Sequence, residues 1–385
     1  MKRRVLFLSA SVGVGHTAAA QAVLCALADA DPAIESRKVD SYKYAASIFS
    51  KVVADGYIGM VKTVPQLYRY IYDRAERARD IPAFRRWVNQ YTASNLRALV
   101  AEEKPDLVVC THAFPCGVMA EYKRQFDPTL PVVAIVTDFA VHPFWIYPNV
   151  DVYAVATPEI RQTLVSRGIP AERVVVSGIP VDRRFGAPSL PVPALRASLG
   201  LPVDRRIVLM MGGGLGIGPL DRMIRALGTL DVPIAGVIIV GKNLRLEKRV
   251  LAIAEHTEYP LRVLSFVDNV YDYMHASDVL LSKPGGLTSS EALSARLPMV
   301  LVKPLPGQEE RNTRYLVSRH AALRARSEGQ IAQVVREVLT SDARRGQLCR
   351  NIERLRRPDA ARTVAERIVG LMQREAVPER EPALI

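Results

Sequence analysis

Val279-Leu280-Leu281-Ser282-Lys283-Pro284-Gly285-Gly286-Leu287-Thr288-Ser289-Ser290-Glu291-Ala292-Leu293 writes a strand, a glycine turn and a helix in one line. The short apolar run at its start reads as a buried strand, and Ser290 to Ala295 reads as helix. Glycines between the two let the backbone approach a ligand closely. The helix start then aims unpaired N–H groups and the positive end of its dipole at that ligand, which suits a phosphate. Glu291 follows about one turn into the helix, where a carboxylate can hold two neighbouring ribose hydroxyls. Turn, helix and acid together point to a pocket for a nucleoside diphosphate.

A second signal comes directly after the next apolar run, Met299-Val300-Leu301-Val302. Lys303-Pro304-Leu305-Pro306-Gly307-Gln308-Glu309-Glu310-Arg311-Asn312 begins with residues that fix a loop. In an open parallel sheet the carboxyl ends of the strands are where ligands bind. Gln308 and Glu309 bring an amide and a carboxylate to that end, groups suited to a hydroxyl-rich ligand.

Outward from these motifs, apolar runs alternate with helix-length segments. Val5 to Leu8, Leu107 to Cys110, Val132 to Val136, Val152 to Val155 and Val174 to Val176 are expected strands in the first half. Ala20, Val23, Leu24 and Leu27 share one face of a helix over residues 16–30. Such alternation implies parallel βαβ units, and hence an α/β fold. Periodicity fails at Gly178 to Asp182 and through the proline-rich Pro188 to Pro193, which reads as a linker. It then restarts with Ile207 to Met211 and Val237 to Val240. Each half opens with a glycine-rich turn, Ser9 to His16 in the first and Gly212 to Gly218 in the second. Gly212, Gly213 and Gly214 are placed to approach a pyrophosphate across a cleft. The expected division is 1–183 and 184–358, with a last helix over about 359–377 crossing back to the first unit.

The chain has 385 residues, 49% of them hydrophobic, and four cysteines without metal or disulfide spacing. That usage fits a reducing compartment. Met1-Lys2-Arg3-Arg4 followed by Val5 to Leu8 imitates an export signal, but the run is short and enters a glycine turn, so a first strand is expected instead. No run approaches the ~20 apolar residues of a spanning helix. The net charge of +13 suits an anionic partner. No nucleic-acid motif is present.

Lys283 to Thr288 with Glu291, Lys303 to Asn312, Val136 to Trp145, Val176 to Val181 and Ser9 to His16 together resemble the processive diacylglycerol glucosyltransferases and the related monogalactosyldiacylglycerol synthases. A more distant likeness is to the transferase that makes the lipid-linked peptidoglycan precursor. The resemblance spans about Arg4 to Leu355. It implies a glycosyltransferase B fold with two Rossmann-like domains facing a cleft, an N-terminal domain for a lipid acceptor such as diacylglycerol, and a C-terminal domain for a UDP-sugar. It implies inversion at the anomeric carbon and no bound metal or other cofactor. Carried over by motif, Glu291 meets the ribose, Gly285, Gly286, Leu287 and Thr288 lie at the diphosphate, Gln308 and Glu309 read the sugar, Phe266 and Val267 lie against the uracil, and Lys283 belongs to the UDP-sugar site. His16 stands at the acceptor-side catalytic position. Val12 and Val14 replace glycines of the relatives' first loop.

Transfer from a UDP-sugar needs a stabilised leaving diphosphate, a base for the acceptor hydroxyl, and alignment of the two. His16 is the expected base, with Asp138 as its carboxylate partner and His142 as a further candidate. His112 reads as a supporting residue. Between Lys62 and Gln90 seven basic residues stand against three acidic ones, interleaved with Tyr68, Tyr70, Tyr72, Phe84 and Trp87. Tyr68, Arg69, Tyr72, Arg85, Arg86 and Trp87 are the expected contacts to acceptor and anionic membrane, placing the protein peripherally on the cytoplasmic face. Which hexose is moved stays open. So do a UDP-N-acetylglucosamine 2-epimerase, a lipid-linked N-acetylglucosaminyltransferase and a non-enzymatic UDP-sugar sensor on the same fold.

Overall fold

The protein is described by a computed structural model covering residues 3–10, 14–41, 44, 83–213 and 218–374. Tyr68, Arg69, Tyr72 and Gly214 lie outside these residues. Arg85, Arg86 and Trp87 fall where only the backbone of a helix is described.

The first half runs β1 (Arg4–Ser9), α1 (Val14–Ala30), β2 (Glu35–Asp40), α2 (Ala83–Glu103), β3 (Leu107–Cys110), α3 (Ala113–Gln125), β4 (Val132–Ile135), β5 (Val152–Val155), α4 (Pro158–Ser166) and β6 (Val174–Val176). Its strands form one parallel sheet in the order β2-β1-β3-β4-β5-β6. The second half runs α5 (Val192–Ser198), β7 (Arg206–Met211), α6 (Leu220–Leu227), β8 (Ile234–Ile239), α7 (Leu244–Ala254), β9 (Leu261–Leu264), α8 (Val270–Ala276), β10 (Val279–Ser282), α9 (Gly286–Ser294), β11 (Met299–Val302), α10 (Gln308–Ser318), β12 (Ala322–Ala325), α11 (Ile331–Thr340), α12 (Asp342–Leu355) and α13 (Ala360–Arg374). Its sheet, also parallel, has the order β12-β11-β10-β7-β8-β9.

Both sheets are doubly wound, so each strand order reverses once: between β1 and β3, and between β7 and β10. Such reversals open the crevice in which α/β sheets bind ligands. Register sets what meets there. Leu8 pairs with Cys110, and Cys110 with Ala134, so the chain leaving β1, β3 and β4 emerges along one edge. In the second sheet Ser282 pairs with both Met211 and Leu301, which brings the turns after β7, β10 and β11 side by side. The Ser282 hydroxyl donates to the Met211 carbonyl at 3.0 Å and pins that edge.

The central strands are apolar because helices cover both faces: β3, β4, β5, β10 and β11 are buried throughout. Three edge strands escape the apolar-run criterion. β2, with sequence ESRKVD, is polar and only half-buried, and β9 (LRVL) and β12 (ALRA) each carry an arginine and are only partly buried. α13 leaves the second half and packs on the first. Val364, Ala365, Ile368 and Met372 join one apolar cluster with Val5, Phe7, Val23 and Leu27. Among the described residues no helix is long and apolar enough to cross a membrane.

Candidate active site

A cavity of about 1130 Å³ opens between the two sheets, lined by α1, the linker after β6, the turns after β7 and β9, the start of α9, and α13. Gly213, Phe266, Val267, Leu287, Thr288 and Glu291 meet on its second-half wall. Phe266 keeps 46% of its surface exposed, with the Lys242 ammonium 4.8 Å from the ring centre. Glu291 is pushed up to about 7 by burial, and the nearby charge of Asp182 adds to the shift. Asp182 itself is held below the usual carboxylate range: its hydrogen bonds to Arg184 and the charge of that guanidinium outweigh a desolvation that acts the other way.

The glycine pair at the start of α9 divides its work. Gly285 is the N-cap, with φ −66° and ψ 140° and no side-chain capping bond, and a Cβ built there meets nothing within 4 Å. Gly286 faces the other half of the molecule. A Cβ there would overlap the Thr137 carbonyl oxygen and lie 3.0 Å from Asp138 Oδ1. Of the two, Gly285 borders open space and Gly286 accommodates the first half's backbone. Gly213 has φ +73°, and a Cβ on it would sit 2.8 Å from Lys283 Cε, so the Lys283 stem lies directly over this turn.

Lys283 Nζ donates to Glu309 Oε1 at 2.5 Å, and the second Glu309 oxygen accepts from the Leu305 amide at 2.8 Å. Glu309 is buried, so the carboxylate expected to read a sugar is here tied to a lysine and to its own loop. Gln308 Nε2 reaches across the cleft to Asp138 Oδ2 at 3.1 Å. Asn312, fully buried, donates from Nδ2 to Asp138 Oδ1 at 2.9 Å and to the Pro284 carbonyl at 3.1 Å. Its Oδ1 accepts from the Phe139 amide at 2.9 Å. Phe139 stacks on Tyr315 of α10 at 5.1 Å.

His16 lies in the first turn of α1. Its Nδ1 is 2.9 Å from the Thr111 carbonyl and 2.9 Å from Thr137 Oγ1. A carbonyl only accepts, so Nδ1 carries the proton, and the neutral ring presents its lone pair at Nε2. Burial lowers this imidazole to about 4, opposed by the Thr111 bond, so it is neutral at pH 7. The ring of His112 stands edge-on at 4.6 Å, while its Nδ1 accepts from the Phe114 amide and caps α3.

The expected pairing of His16 with Asp138 is not what the structure shows. Asp138 turns to Gln308 and Asn312 instead, because burial at the interface demands donors and α10 supplies them. Asp138 is pushed up to about 7, first by desolvation. His142 caps a short turn at Pro143–Trp145 through the Phe144 amide at 3.2 Å, with its ring edge-on to Phe144, and is not in the wall of the cavity. Sequence reading missed Thr111, Thr137, Asp182 and the role of Asn312. Asn312 carried a signal: it stands four residues after Gln308, on the same helical face. The threonines carried none, because only sheet register sets them beside His16.

Residues 16–181 match the family model of monogalactosyldiacylglycerol (MGDG) synthase, and residues 207–364 that of the glycosyltransferase family 28 C-terminal domain. A processive diacylglycerol beta-glucosyltransferase of Bacillus cytotoxicus is 30% identical over 386 residues, covering 99% of this chain and 97% of that protein. One from Bacillus cereus is 31% identical over 323 residues, covering 83% and 82%. Among solved structures, MurG of Acinetobacter baumannii aligns with a TM-score of 0.62 at 17% identity, over 97% of this chain and 99% of that one. The S. aureus MnaA–UDP co-structure aligns with a TM-score of 0.62 at 14% identity over the whole of both chains. At such identities these likenesses speak for the fold alone.

Proposed function

Because this chain belongs to the processive diacylglycerol glucosyltransferase family and has the glycosyltransferase B fold, we propose that it moves a hexose from a UDP-sugar to diacylglycerol with inversion, at a membrane surface. Glucose is the sugar named in its relatives and is the hexose we assign. The observation that carries the reading is the meeting, around one cavity, of Leu287, Thr288, Glu291 and Phe266 from one half with Val14 and Gly15, the residues just before His16, from the other.

In this reading the uracil lies on Phe266 and Val267, and Glu291 holds the ribose. The diphosphate rests against the amides at Gly285 to Thr288, where the helix dipole favours negative charge. The Lys283 ammonium, already paired with Glu309, reaches the ligand from over the neighbouring Gly213 turn. The lipid hydroxyl oxygen attacks the anomeric carbon from the first-half side, its proton passes to Nε2 of His16, and the bond from that carbon to the β-phosphate oxygen breaks. UDP leaves, its new charge met by preorganised amides. Burial keeps His16 unprotonated at pH 7, so the Nε2 lone pair is available to the proton.

The test is a donor screen of UDP-glucose, UDP-galactose and UDP-N-acetylglucosamine with diacylglycerol in anionic vesicles. Products are resolved by mass and by anomeric configuration. Release of UDP with formation of a β-glucoside is expected. Absence of transfer from every donor, or conversion of UDP-N-acetylglucosamine to its 2-epimer without acceptor, overturns the reading. Because amides and Lys283 meet the leaving charge, chelation with EDTA is expected to leave the rate unchanged. A loss restored by magnesium shows that a metal takes that part.

A further inference from the structure

A chain of contacts runs from the second half of the molecule into the position of His16. Asn312 is fully buried and makes three bonds, one to its own half at Pro284 and two to the first half, at Asp138 and at the Phe139 amide. Gln308 supplies a fourth link through the other Asp138 oxygen. The loop so gripped also includes Thr137. Its carbonyl presses on Gly286, and its hydroxyl lies against His16 Nδ1. Within this short loop one residue faces the start of α9, the next faces α10, and the first also touches the imidazole.

We propose that Asn312 is a positioning residue, which acts through Asp138 and the 137–139 loop to hold the His16 ring in place when the two halves are together. The proposal rests on the reading of His16 as the base of the transfer reaction. It gives Asn312 and Gln308 a task distinct from contact with donor. The motif that begins the donor-side helix α10 also completes the acceptor-side base, so the base is set only when the halves meet. Enzymes commonly gate chemistry by such closure.

Among the described residues the groups facing these are few. His112 faces His16 from the start of α3, and the Thr111 carbonyl fixes its proton. Glu309 and Lys283 lie near Asp138, the carboxylate favouring its protonated form and the ammonium its charged form. Asn312→Asp sets an oxygen where the amide donor stood, against Asp138 Oδ1 and the Pro284 carbonyl, and breaks both links. Asp138→Asn in the same chain rebuilds the link to the first half with the roles exchanged, since the new amide donates to the new carboxylate and the Phe139 and Gln308 bonds keep their acceptors, while the Pro284 carbonyl stays without its donor.

The experiment compares wild type, Asn312→Asp, the exchanged pair Asn312→Asp with Asp138→Asn, and Thr137→Val. Sugar transfer, UDP affinity by calorimetry, and the His16 ring 15N resonances are measured for each. Asn312→Asp and Thr137→Val are expected to lower kcat about a hundredfold, the scale of a misplaced reacting group, with UDP affinity kept. The exchanged pair recovers part of the loss, because the link to the first half returns while the Pro284 bond does not. A wild-type kcat in Asn312→Asp overturns the proposal, as does UDP affinity that falls in step with kcat, or an exchanged pair no better than the single variant. The resonances read the coupling apart from the reaction. His16 shifts in Asn312→Asp and returns in the exchanged pair if the proposal holds, even where wild type transfers no sugar and the functional reading fails. Unmoved His16 resonances sink it.

Discussion

Glu291 and Asp138 are both pushed up to about 7, and burial is the leading cause for each. A carboxyl whose folded value lies above its unfolded one binds a proton in the native state that the unfolded chain has lost. Its contribution to stability is therefore full below the ordinary carboxylate range and is lost as pH rises through about 7. The protein without nucleotide is expected to lose urea resistance between about pH 5 and pH 8, and Glu291→Gln to flatten that decline. An unchanged slope in the variant would show that Glu291 titrates normally. At this scale the sequence exposed Glu291 through its distance from the glycine pair. It misassigned the partner of His16, because a carboxylate at a strand end gives no sign of which neighbour will desolvate it.

The start of α9 shows how one short motif serves two masters. Gly285 has ordinary backbone angles and empty space around it, while Gly286 touches the other half. Gly285→Ala is expected to leave the melting temperature near wild type and to weaken UDP binding, because the new methyl enters the space assigned to the diphosphate. Gly286→Ala is expected to destabilise the protein by about 1–3 kcal/mol, the cost of forcing an atom into a packed contact. Calorimetric titration and denaturant melts on the pair separate the two roles. Equal effects in both variants would refute the division. Strand, turn and helix here were all legible, since apolar run, glycine and helical periodicity agree at every level. β2 was not, because an edge strand beside α1 is satisfied by backbone pairing alone and carries no apolar signature.

The whole molecule is closed by its last helix. Ile368 is fully buried in a cluster whose other members come mostly from the first half, on its sheet and on α1. Ile368→Ala is expected to cost about 2–5 kcal/mol, as loss of a buried branched side chain does, and hydrogen exchange is expected to rise in β1 and α1 rather than in β10 and β11. Exchange confined to the second half would contradict that packing. The net charge of +13 bears on the proposed contact with a membrane. Flotation with anionic vesicles is expected at low salt and release near 1 M, where the screening length falls to about 3 Å, while neutral vesicles leave the protein behind. Binding indifferent to both salt and lipid charge would assign the contact to apolar groups instead. The sequence by itself determined the two parallel α/β halves and the strand, glycine turn and helix of β10 and α9, because period and turn chemistry are local properties of the chain. Only the tertiary structure decided that Asp138 belongs to Asn312 and that Thr111 and Thr137 hold His16. Those contacts depend on strand register and on how the two halves face each other, which no stretch of neighbouring residues encodes.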